Sequence, residues 1–338
     1  MHSNRITIAS SQANRRLHFR DLKQEKAKVK ILKLLAPVLL FVLITSIAQP
    51  SAAEDLELQK VTDSVYAIVG ELGNRSAKNL GNNATFGFVI TRDGVVLRDS
   101  GGTFQGARKI DQLIKSVTDK PVVVVINTGG QDHRWLGNGY FKQRGAEIIA
   151  SEAAVKDQQA RTRDQFIMLD NLVGGLAVRE TEPVYAETTF IKDFRFTSGN
   201  TIFELRHAGP AHTPGDSFVW LPGEEIVFAG DIVYVERMLG VGPQSNSKSW
   251  ISVFNTMAAY NPRHLIPGHG HATDLAQAQR DTFDYLVFLR KSVADFLEEG
   301  GDISDISSVK QTEFSYLLNF QEIAGRNAQQ VFTEMEWE

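Results

Sequence analysis

The stretch PVVVVINTGGQDH, residues 121–133, changes character halfway along. Residues 121–126 are apolar and mostly β-branched, which predicts a strand covered on both faces. The residues after them are rich in glycine and end in the pair Asp132-His133. A buried strand that leads into a polar loop is a common setting for a ligand site in an α/β protein.

Three further predicted strands lead into loops of the same kind. His212 follows a strand at residues 201–205, Asp231 follows one at 225–228, and His269 follows the short apolar run 265–266. Imidazole and carboxylate groups gathered at strand ends are the ligands that a divalent metal needs. The sequence therefore predicts a metal site built from these loops.

The rest of the chain alternates between short β-rich runs and helical stretches. Strands are predicted at residues 64–69, 84–90 and 95–97, with a hairpin turn at 92–94 between the last two. A helix begins after a Thr103 N-cap, and another spans 274–299, where Gly300-Gly301 ends it. A second C-terminal helix is predicted after residue 307. This mixed order favours an α/β fold in which two sheets pack face to face with helices outside.

The first 53 residues have the pattern of a secretory signal peptide. Several lysines precede an apolar run at residues 34–47, and Ser51-Ala52-Ala53 offers small residues for cleavage. We expect cleavage near Ala53 and a periplasmic or secreted protein that begins near Glu54. The alternative is a single membrane anchor, but the run falls short of the ~20 residues that span a bilayer. No stable membrane span is expected after cleavage.

Composition narrows the classes of function and of ligand. The chain has no cysteine, so neither a disulfide framework nor a thiolate ligand is available. The whole chain has 36 basic and 40 acidic side chains; without residues 1–53, 27 and 38 remain, a formal charge of −11. Such an acidic body argues against a nucleic-acid partner, because phosphate binding requires a basic face. A small-molecule substrate is the expected partner.

Three runs resemble the later metal motifs of the metallo-β-lactamase superfamily in order and spacing: AHTPGD at 211–216, FAGD at 228–231 and IPGHG at 266–270. The resemblance implies a four-layer αββα sandwich over residues 54–299, followed by a C-terminal helical extension at 300–338. It also implies zinc in a cleft at one edge. His212 would bind a first metal, Asp231 would bridge two metals, and His269 would bind the second.

The first motif departs from the family pattern, which is His-x-His-x-Asp-His. If Asp132-His133 matches the family's Asp-His pair, one residue is lost and both leading histidines are missing. If the flanks are matched without a gap, Gly129 and Gln131 replace those histidines, His133 stands in place of the aspartate and Arg134 in place of the last histidine. The first alignment is favoured here, because a buried Asp-His pair with no metal would be costly. Under either alignment the first metal position keeps little beyond His212.

These residues predict one zinc ion rather than two. The predicted ligands are Asp132, His133, His212, Asp231 and His269. A catalytic zinc needs about three protein ligands and an open position for water. Asp132, His212 and Gln131 are the predicted catalytic residues, with the amides of Gly129 and Gly130 as further donors to a developing oxyanion.

The predicted function is a metal-dependent hydrolase in which metal-activated hydroxide attacks an ester, thioester or amide-like substrate. The alternative is a binding or sensor protein that keeps the fold with reduced catalysis. An iron-dependent dioxygenase of the persulfide type, which shares this fold, is disfavoured because Gly129 replaces its leading histidine. The apolar C-terminal helices pack on the body or on a partner chain, so a homodimer is possible.

Overall fold

The computed structural model describes residues 56–338. The predicted signal peptide, its cleavage near Ala53 and the start of the mature chain at Glu54 lie outside the described residues. Among residues 56–338, no helix is both long enough and apolar enough to cross a lipid bilayer.

The first sheet contains seven strands in sequence order. They are β1 Leu56–Lys60, β2 Val65–Gly70, β3 Thr85–Ile90, β4 Val95–Arg98, β5 Val122–Asn127, β6 Glu147–Ser151 and β7 Thr188–Phe190. Neighbours from β1 to β4 are antiparallel, whereas β4 to β7 are parallel. The predicted hairpin joins β3 to β4, where Ile90 pairs with Val95.

The second sheet contains five strands in the order β12-β11-β10-β9-β8. They are β8 Asp193–Ser198, β9 Thr201–Arg206, β10 Phe218–Leu221, β11 Ile226–Tyr234 and β12 His264–His269. β11 and β12 run parallel, and the other neighbours are antiparallel. The parallel pair carries two of the predicted site residues, Asp231 and His269.

The α-helices connect the strands and cover the outer faces of both sheets. They are α1 Phe104–Lys115, α2 Asp132–Trp135, α3 Asn138–Lys142, α4 Glu152–Val173, α5 Gly175–Val178, α6 Ser247–Ala258, α7 Leu275–Ala278, α8 Asp284–Glu298 and α9 Phe320–Met335. A π-helical turn, Gln279–Phe283, joins α7 to α8, and 3-10 turns at Ile303–Ser308 and Thr312–Phe314 precede α9. The Thr103 hydroxyl caps α1 as predicted, since it accepts from the Gly106 amide at 2.9 Å.

Three apolar layers hold the fold together. Val65, Ala67 and Val69 from the first sheet meet Phe203 and Phe228 from the second in a buried layer between the sheets. A second layer lies between the first sheet and α1, and a third lies between the second sheet and the helices α6, α8 and α9. The predicted αββα sandwich with a C-terminal helical region is confirmed.

The apolar residues of the C-terminal helices pack on the body of the same chain. Tyr285, Leu286, Leu289 and Val293 of α8 are all buried in the layer that covers the second sheet. The helix predicted after residue 307 begins later, at Phe320, because residues 303–314 form 3-10 turns. The homodimer stays a prediction, and so do the proposed domain limits at 54–299 and 300–338.

The elements that carry the site differ in one respect from the prediction. Asp231 and His269 lie inside β11 and β12 rather than in loops after them, because both strands continue further than their apolar runs. Asp132 and His133 lie in the short helix α2, directly beyond β5. The ends of β5, β11 and β12 therefore converge on one place.

Candidate metal centre

Three of the predicted ligands form a compact buried group. His133, Asp231 and His269 each offer one ligand atom, and these atoms lie within 4.8 Å of one another. Nε2 of His133 is 3.5 Å from Asp231 Oδ2, and Nε2 of His269 is 3.3 Å from Oδ1 of the same carboxylate. Two imidazoles and a carboxylate in this arrangement match the donors of a zinc site.

A close approach of β11 and β12 brings two of these donors together. Gly230 adopts a left-handed backbone with φ 55°, and the pairing of β11 with β12 is irregular on both sides of it. A Cβ on Gly268 would overlap the Gly230 carbonyl oxygen. Glycine at both positions lets the strands approach closely enough to place Asp231 beside His269.

Arg134 fixes the carboxylate of this group. Its buried guanidinium donates to both oxygens of Asp231, at 3.0 and 2.6 Å, and to the Gly268 carbonyl at 2.9 Å. It also bonds Asp99 Oδ2 at 2.9 Å. Burial alone would raise the pKa of Asp231, but Arg134 with His133 and His269 outweighs it and holds that pKa well below its usual range. Asp231 is therefore a carboxylate at every physiological pH.

Both histidines of the group are neutral. Burial, reinforced by the charge of Arg134, lowers the pKa of His133 well below its usual value. Burial and the charge of Arg237 lower the pKa of His269 to about 3. Nε2 of His133 is buried without a hydrogen-bond partner among the described residues. A neutral imidazole is the form that coordinates a metal.

Guanidinium groups face the outer nitrogens of both rings. Arg75 Nη2 lies 2.9 Å from Nδ1 of His133, and Arg237 Nη1 lies 3.3 Å from Nδ1 of His269. Because a guanidinium only donates, these contacts favour rings that carry the proton on Nε2. Coordination through Nε2 requires the opposite tautomer.

Asp132 lies beside the three-donor group and not within it. Its Oδ1 accepts from Arg75 and from the His133 amide at 2.8 Å, and lies 3.4 Å from His133 Nδ1. Its Oδ2 is buried without a partner among the described residues. The structure thus places Asp132 where it can accept a hydrogen bond from a protonated Nδ1 of His133 and orient that ring.

Two acidic side chains crowd the glycines of the first motif. A Cβ on Gly129 would overlap Asp216 Oδ1, and a Cβ on Gly130 would overlap Asp157 Oδ2. Helix α4 fixes the same loop, since Gln158 Nε2 donates to the Gly129 carbonyl at 3.0 Å and Gln165 Nε2 to that of Gly130 at 2.8 Å. A larger residue at 129 or 130 would first have to displace one of these carboxyl groups.

The amide of Gly130 already has a partner. It donates to the Thr213 hydroxyl at 3.3 Å, so it is not free to receive an oxyanion. Gln131 is half-buried, and its Oε1 accepts weakly from Arg161 Nη1 at 3.4 Å. Of the predicted oxyanion donors, the side chains of Gln131 and His212 border the cleft described below.

His212 stands apart from the three-donor group. Its Nδ1 lies 3.0 Å from the Gly240 carbonyl, and its ring packs against Tyr234 and Trp250. Burial lowers the pKa of His212, so the ring is neutral and its proton lies on Nδ1. Nε2 of His212 is then an unprotonated nitrogen at the edge of the cleft.

Arginine is the part of the centre that sequence reasoning missed. In the sequence, Arg134 stands out only as the residue that replaces a histidine in the alignment without a gap, and no motif marks Arg75 or Arg237. The contacts of Arg134 with Asp231 and Gly268 favour that alignment over the one with a deletion. A usable signal was the charged pair Arg98-Asp99 at the end of an otherwise apolar strand.

The chain was compared with protein families and with characterised relatives. Residues 81–269 match the family model described as the metallo-beta-lactamase superfamily. A "Metallo-beta-lactamase type 2" of Elizabethkingia meningoseptica is 24% identical over 229 residues, which cover 67% of this chain and 83% of the relative. A protein of the same name from Bacillus sp. (strain 170) is 26% identical over 209 residues, covering 60% and 72%.

Solved structures share the fold at low identity. A metallo-beta-lactamase from Pontibacter korlensis superimposes with a TM-score of 0.55 at 20% identity, covering 69% of this chain and 99% of its own. The sec-alkylsulfatase Pisa1 from Pseudomonas sp. superimposes with a TM-score of 0.64 at 16% identity, covering 82% of this chain and 50% of its own.

Proposed function

The chain belongs to the metallo-β-lactamase superfamily, and on this basis we propose that it is a metal-dependent hydrolase holding a single ion between His133, Asp231 and His269. The buried three-donor group is the observation that carries the proposal. The relatives named above are metallo-β-lactamases, which are hydrolases by name, and this supports it.

The donor set fits zinc in number and kind. Two neutral imidazoles and one carboxylate supply three ligands, and the unpartnered Nε2 of His133 gains a partner when an ion binds. A second ion has little to hold it, since His212 lies outside the group and residues 129–130 are closed by carboxylates. We therefore propose one ion.

Zinc binding would disturb the contacts that Nδ1 of His133 and Nδ1 of His269 now make. Coordination through Nε2 moves the proton of each ring to Nδ1, which Arg75 and Arg237 now face. For His133 the Asp132 carboxylate, 3.4 Å from Nδ1, can accept a hydrogen bond from that N–H, as carboxylates do behind metal-bound histidines. For His269 the guanidinium of Arg237 must turn away. We therefore expect a weaker affinity for zinc than that of a site backed by carboxylates on both rings.

His133, Asp231 and His269 would hold the zinc ion, which would supply Lewis-acid activation of a water molecule at neutral pH. His212 presents an unprotonated Nε2 at the same cleft and can accept a proton there. The Gln131 amide can donate to a substrate oxygen as negative charge develops. Asp132 keeps His133 in the required orientation. Esters, thioesters and amide-like bonds are the proposed substrates.

The test is elemental analysis of the purified mature protein. We expect about one zinc per chain, because three protein ligands define one catalytic site. His269→Ala should lose most of the zinc, whereas His264→Ala, at the other end of the same strand, should retain it. Wild-type protein that contains no divalent metal after growth and dialysis in zinc would contradict the proposal.

Turnover is tested separately on the same samples. We expect slow hydrolysis of p-nitrophenyl acetate, a phenyl thioester or a chromogenic cephalosporin, lost in His269→Ala and reduced in His212→Ala. Zinc retention without cleavage of any of the three would remove the hydrolase assignment and leave a metal-binding protein.

A second candidate function is a binding or sensor protein with reduced catalysis. The specific observation in its favour is that guanidinium groups already contact Asp231, Asp132 and both histidines. Such a protein would bind its small molecule equally well before and after dialysis against a chelator. A metal-dependent hydrolase would lose turnover in that comparison.

We also propose that the protein is exported, with residues 1–53 removed as a signal peptide. The support is the lysine-rich start, the apolar run and the small residues at 51–53. N-terminal sequencing of protein recovered from the periplasm should begin near Glu54. An intact N-terminus in a membrane fraction would favour the anchor instead.

A further inference from the structure

A cleft of about 660 Å³ is lined by residues near the candidate metal centre and by residues of the C-terminal extension. Gln131 and His212 line it on the side of the centre. Ile323 and Arg326 of α9 line it on the side of the extension. Its size is that of a small-molecule site, so the extension supplies part of the surface that a substrate would touch.

The cleft has an apolar wall, one cation and several amide and hydroxyl side chains. Met168, Val241, Ile303 and Ile323 form the apolar wall, and Met168 and Ile303 remain 38% and 40% exposed. Among the described residues that line the cleft, Arg326 is the one charged side chain, and no carboxylate is present. Arg326 is exposed, and within residues 56–338 it forms no ion pair. An unpaired guanidinium beside exposed apolar surface suits a ligand with an anionic end and an apolar body.

The wall formed by α9 is fixed in place. The buried Asn327 accepts from the Val241 amide at 2.8 Å and donates to the Leu239 carbonyl at 2.8 Å. Leu318 exchanges backbone hydrogen bonds of 2.8 and 2.9 Å with Met238 and Glu236. Arg326 is thus carried by a helix whose backbone is tied to the loop after β11, so the end of the cleft that it occupies is set before a ligand arrives.

We propose that the cleft recognises amphiphilic carboxylates, with an acyl chain against the apolar wall and the carboxylate on Arg326. This assigns a substrate class to the hydrolase proposed above and rests on that proposal: a hydrolysable ester or thioester that carries a distal carboxylate. Arg326 then selects substrates by charge, while His212 and Gln131 face the reacting bond.

Calorimetric titration of the purified mature protein with decanoate tests the assignment. Wild-type protein should bind decanoate more tightly than 1-decanol, decyltrimethylammonium or butyrate. Arg326→Gln should weaken decanoate binding at least about tenfold, because a charge-assisted hydrogen bond is lost. Arg263→Gln, an exposed arginine outside the cleft, should bind as wild type does.

The contribution of the apolar wall is tested with a separate variant. Ile323→Asn should reduce the preference for decanoate over butyrate and leave Arg326 in place. Equal binding of decanoate and decanol, unchanged binding in Arg326→Gln, or absence of decanoate binding would each overturn the inference. Melting temperatures of the variants confirm that the fold is retained.

Failure of the proposed substrate class can be distinguished from failure of the proposed hydrolase function. The metal content of the titrated samples is measured in parallel. Zinc with no decanoate binding contradicts the substrate class alone, whereas decanoate binding in a protein that holds no metal contradicts the hydrolase and supports the cleft.

Discussion

Through one buried guanidinium, Arg134 contacts three other segments of the chain. It joins α2 to Asp231 of β11, to the Gly268 carbonyl of β12 and to Asp99 at the end of β4. Each partner is buried, so water cannot replace the guanidinium. The charge balance of the centre therefore depends on this one side chain.

Replacing Arg134 with methionine should destabilise the protein strongly. The variant leaves Asp231 buried with neither of its two guanidinium bonds, and breaking a buried pair from one side costs about 3–5 kcal/mol. Urea unfolding followed by circular dichroism measures the loss. Arg263→Met, on the surface, should change the free energy of unfolding by less than ~0.5 kcal/mol. Equal stability of Arg134→Met and wild type would contradict the role given to Arg134.

Asp216 makes the free energy of unfolding fall as the pH rises, which is the opposite of the effect of a carboxyl group whose pKa is lowered by folding. Burial, together with the nearby charge of Asp231, raises the pKa of Asp216 to about 8. In the unfolded chain its pKa is about 4, so the folded state binds more protons between about pH 4 and 8. The contribution of Asp216 to stability is complete below about pH 4 and is lost as the pH rises through about 8.

Asp216→Asn should remove this dependence. Between about pH 5 and 8 the free energy of unfolding of wild type should fall relative to the variant, by up to ~1.4 kcal/mol per pH unit. Unfolding in urea at three pH values measures the difference. Asp119→Asn, on an exposed loop, is the matched control. Parallel curves for wild type and Asp216→Asn would show that Asp216 is ionised in the folded protein.

At the scale of elements, helix α4 and helix α9 shape the site although neither belongs to a motif. α4 fixes the Gly129-Gly130 loop through Gln158 and Gln165, and α9 is fixed by Asn327. Their polar contacts join residues far apart in the chain. Such contacts follow from packing and leave no local pattern in the sequence.

Asn327→Ala should loosen α9 from the body. The change removes hydrogen bonds to the Val241 amide, the Leu239 carbonyl and the Tyr285 hydroxyl, and leaves these groups buried and short of a partner. We expect a loss of about 2–4 kcal/mol in the free energy of unfolding. Gln321→Ala, exposed on the same helix, should have little effect. Thermal unfolding of both variants makes the comparison.

Much of the fold followed from periodicity. The strands β2 to β5, β9 and β11, the Thr103 cap and the helix break at Gly300 were predicted within a few residues. The strands β1 and β6 to β8 and the helices α4 and α6 were not predicted. Among them, β8 is largely exposed and α4 lacks a continuous apolar face, so neither shows a clear period in the sequence. Strand ends were placed too early in β11, where polar Asp231 continues the strand instead of ending it.

Part of the candidate site was also predictable, from the residues that follow predicted strands. His133, Asp231 and His269 were found because each stands at or near a strand end with a recognisable flank. Asp132 is held outside that group by Arg75, and His212 by the Gly240 carbonyl and the rings of Tyr234 and Trp250, all of which come from distant segments. One sequence does not reveal which arginines meet inside a fold.

At the scale of the whole molecule, the C-terminal extension completes the outer layer of the second sheet. Phe314, Leu317, Val331 and Phe332 are buried in the same apolar layer as Trp250. The 300–338 segment is therefore part of the core, although the sandwich without it carries all twelve strands of the described chain.

Removal of residues 300–338 should prevent stable folding. The truncation exposes the apolar face of α8 and of the loop after β11 to water, and exposed apolar area of that size promotes aggregation. Gel filtration and near-ultraviolet circular dichroism should show aggregated or loosely packed protein. Removal of residues 337–338 alone should leave a folded monomer or dimer. A soluble, cooperatively unfolding fragment 54–299 would contradict this expectation and support two separable domains.

The carboxyl groups of Asp216 and Asp157, which lie beside Gly129 and Gly130, also limit what the loop can be engineered to hold. A Cβ at either glycine would displace the end of an acidic side chain. Arg161 holds Asp157 and the Thr213 amide holds Asp216, so a larger residue at 129 or 130 would have to break those bonds. An engineered histidine at residue 129 is therefore best introduced together with a smaller residue at 216.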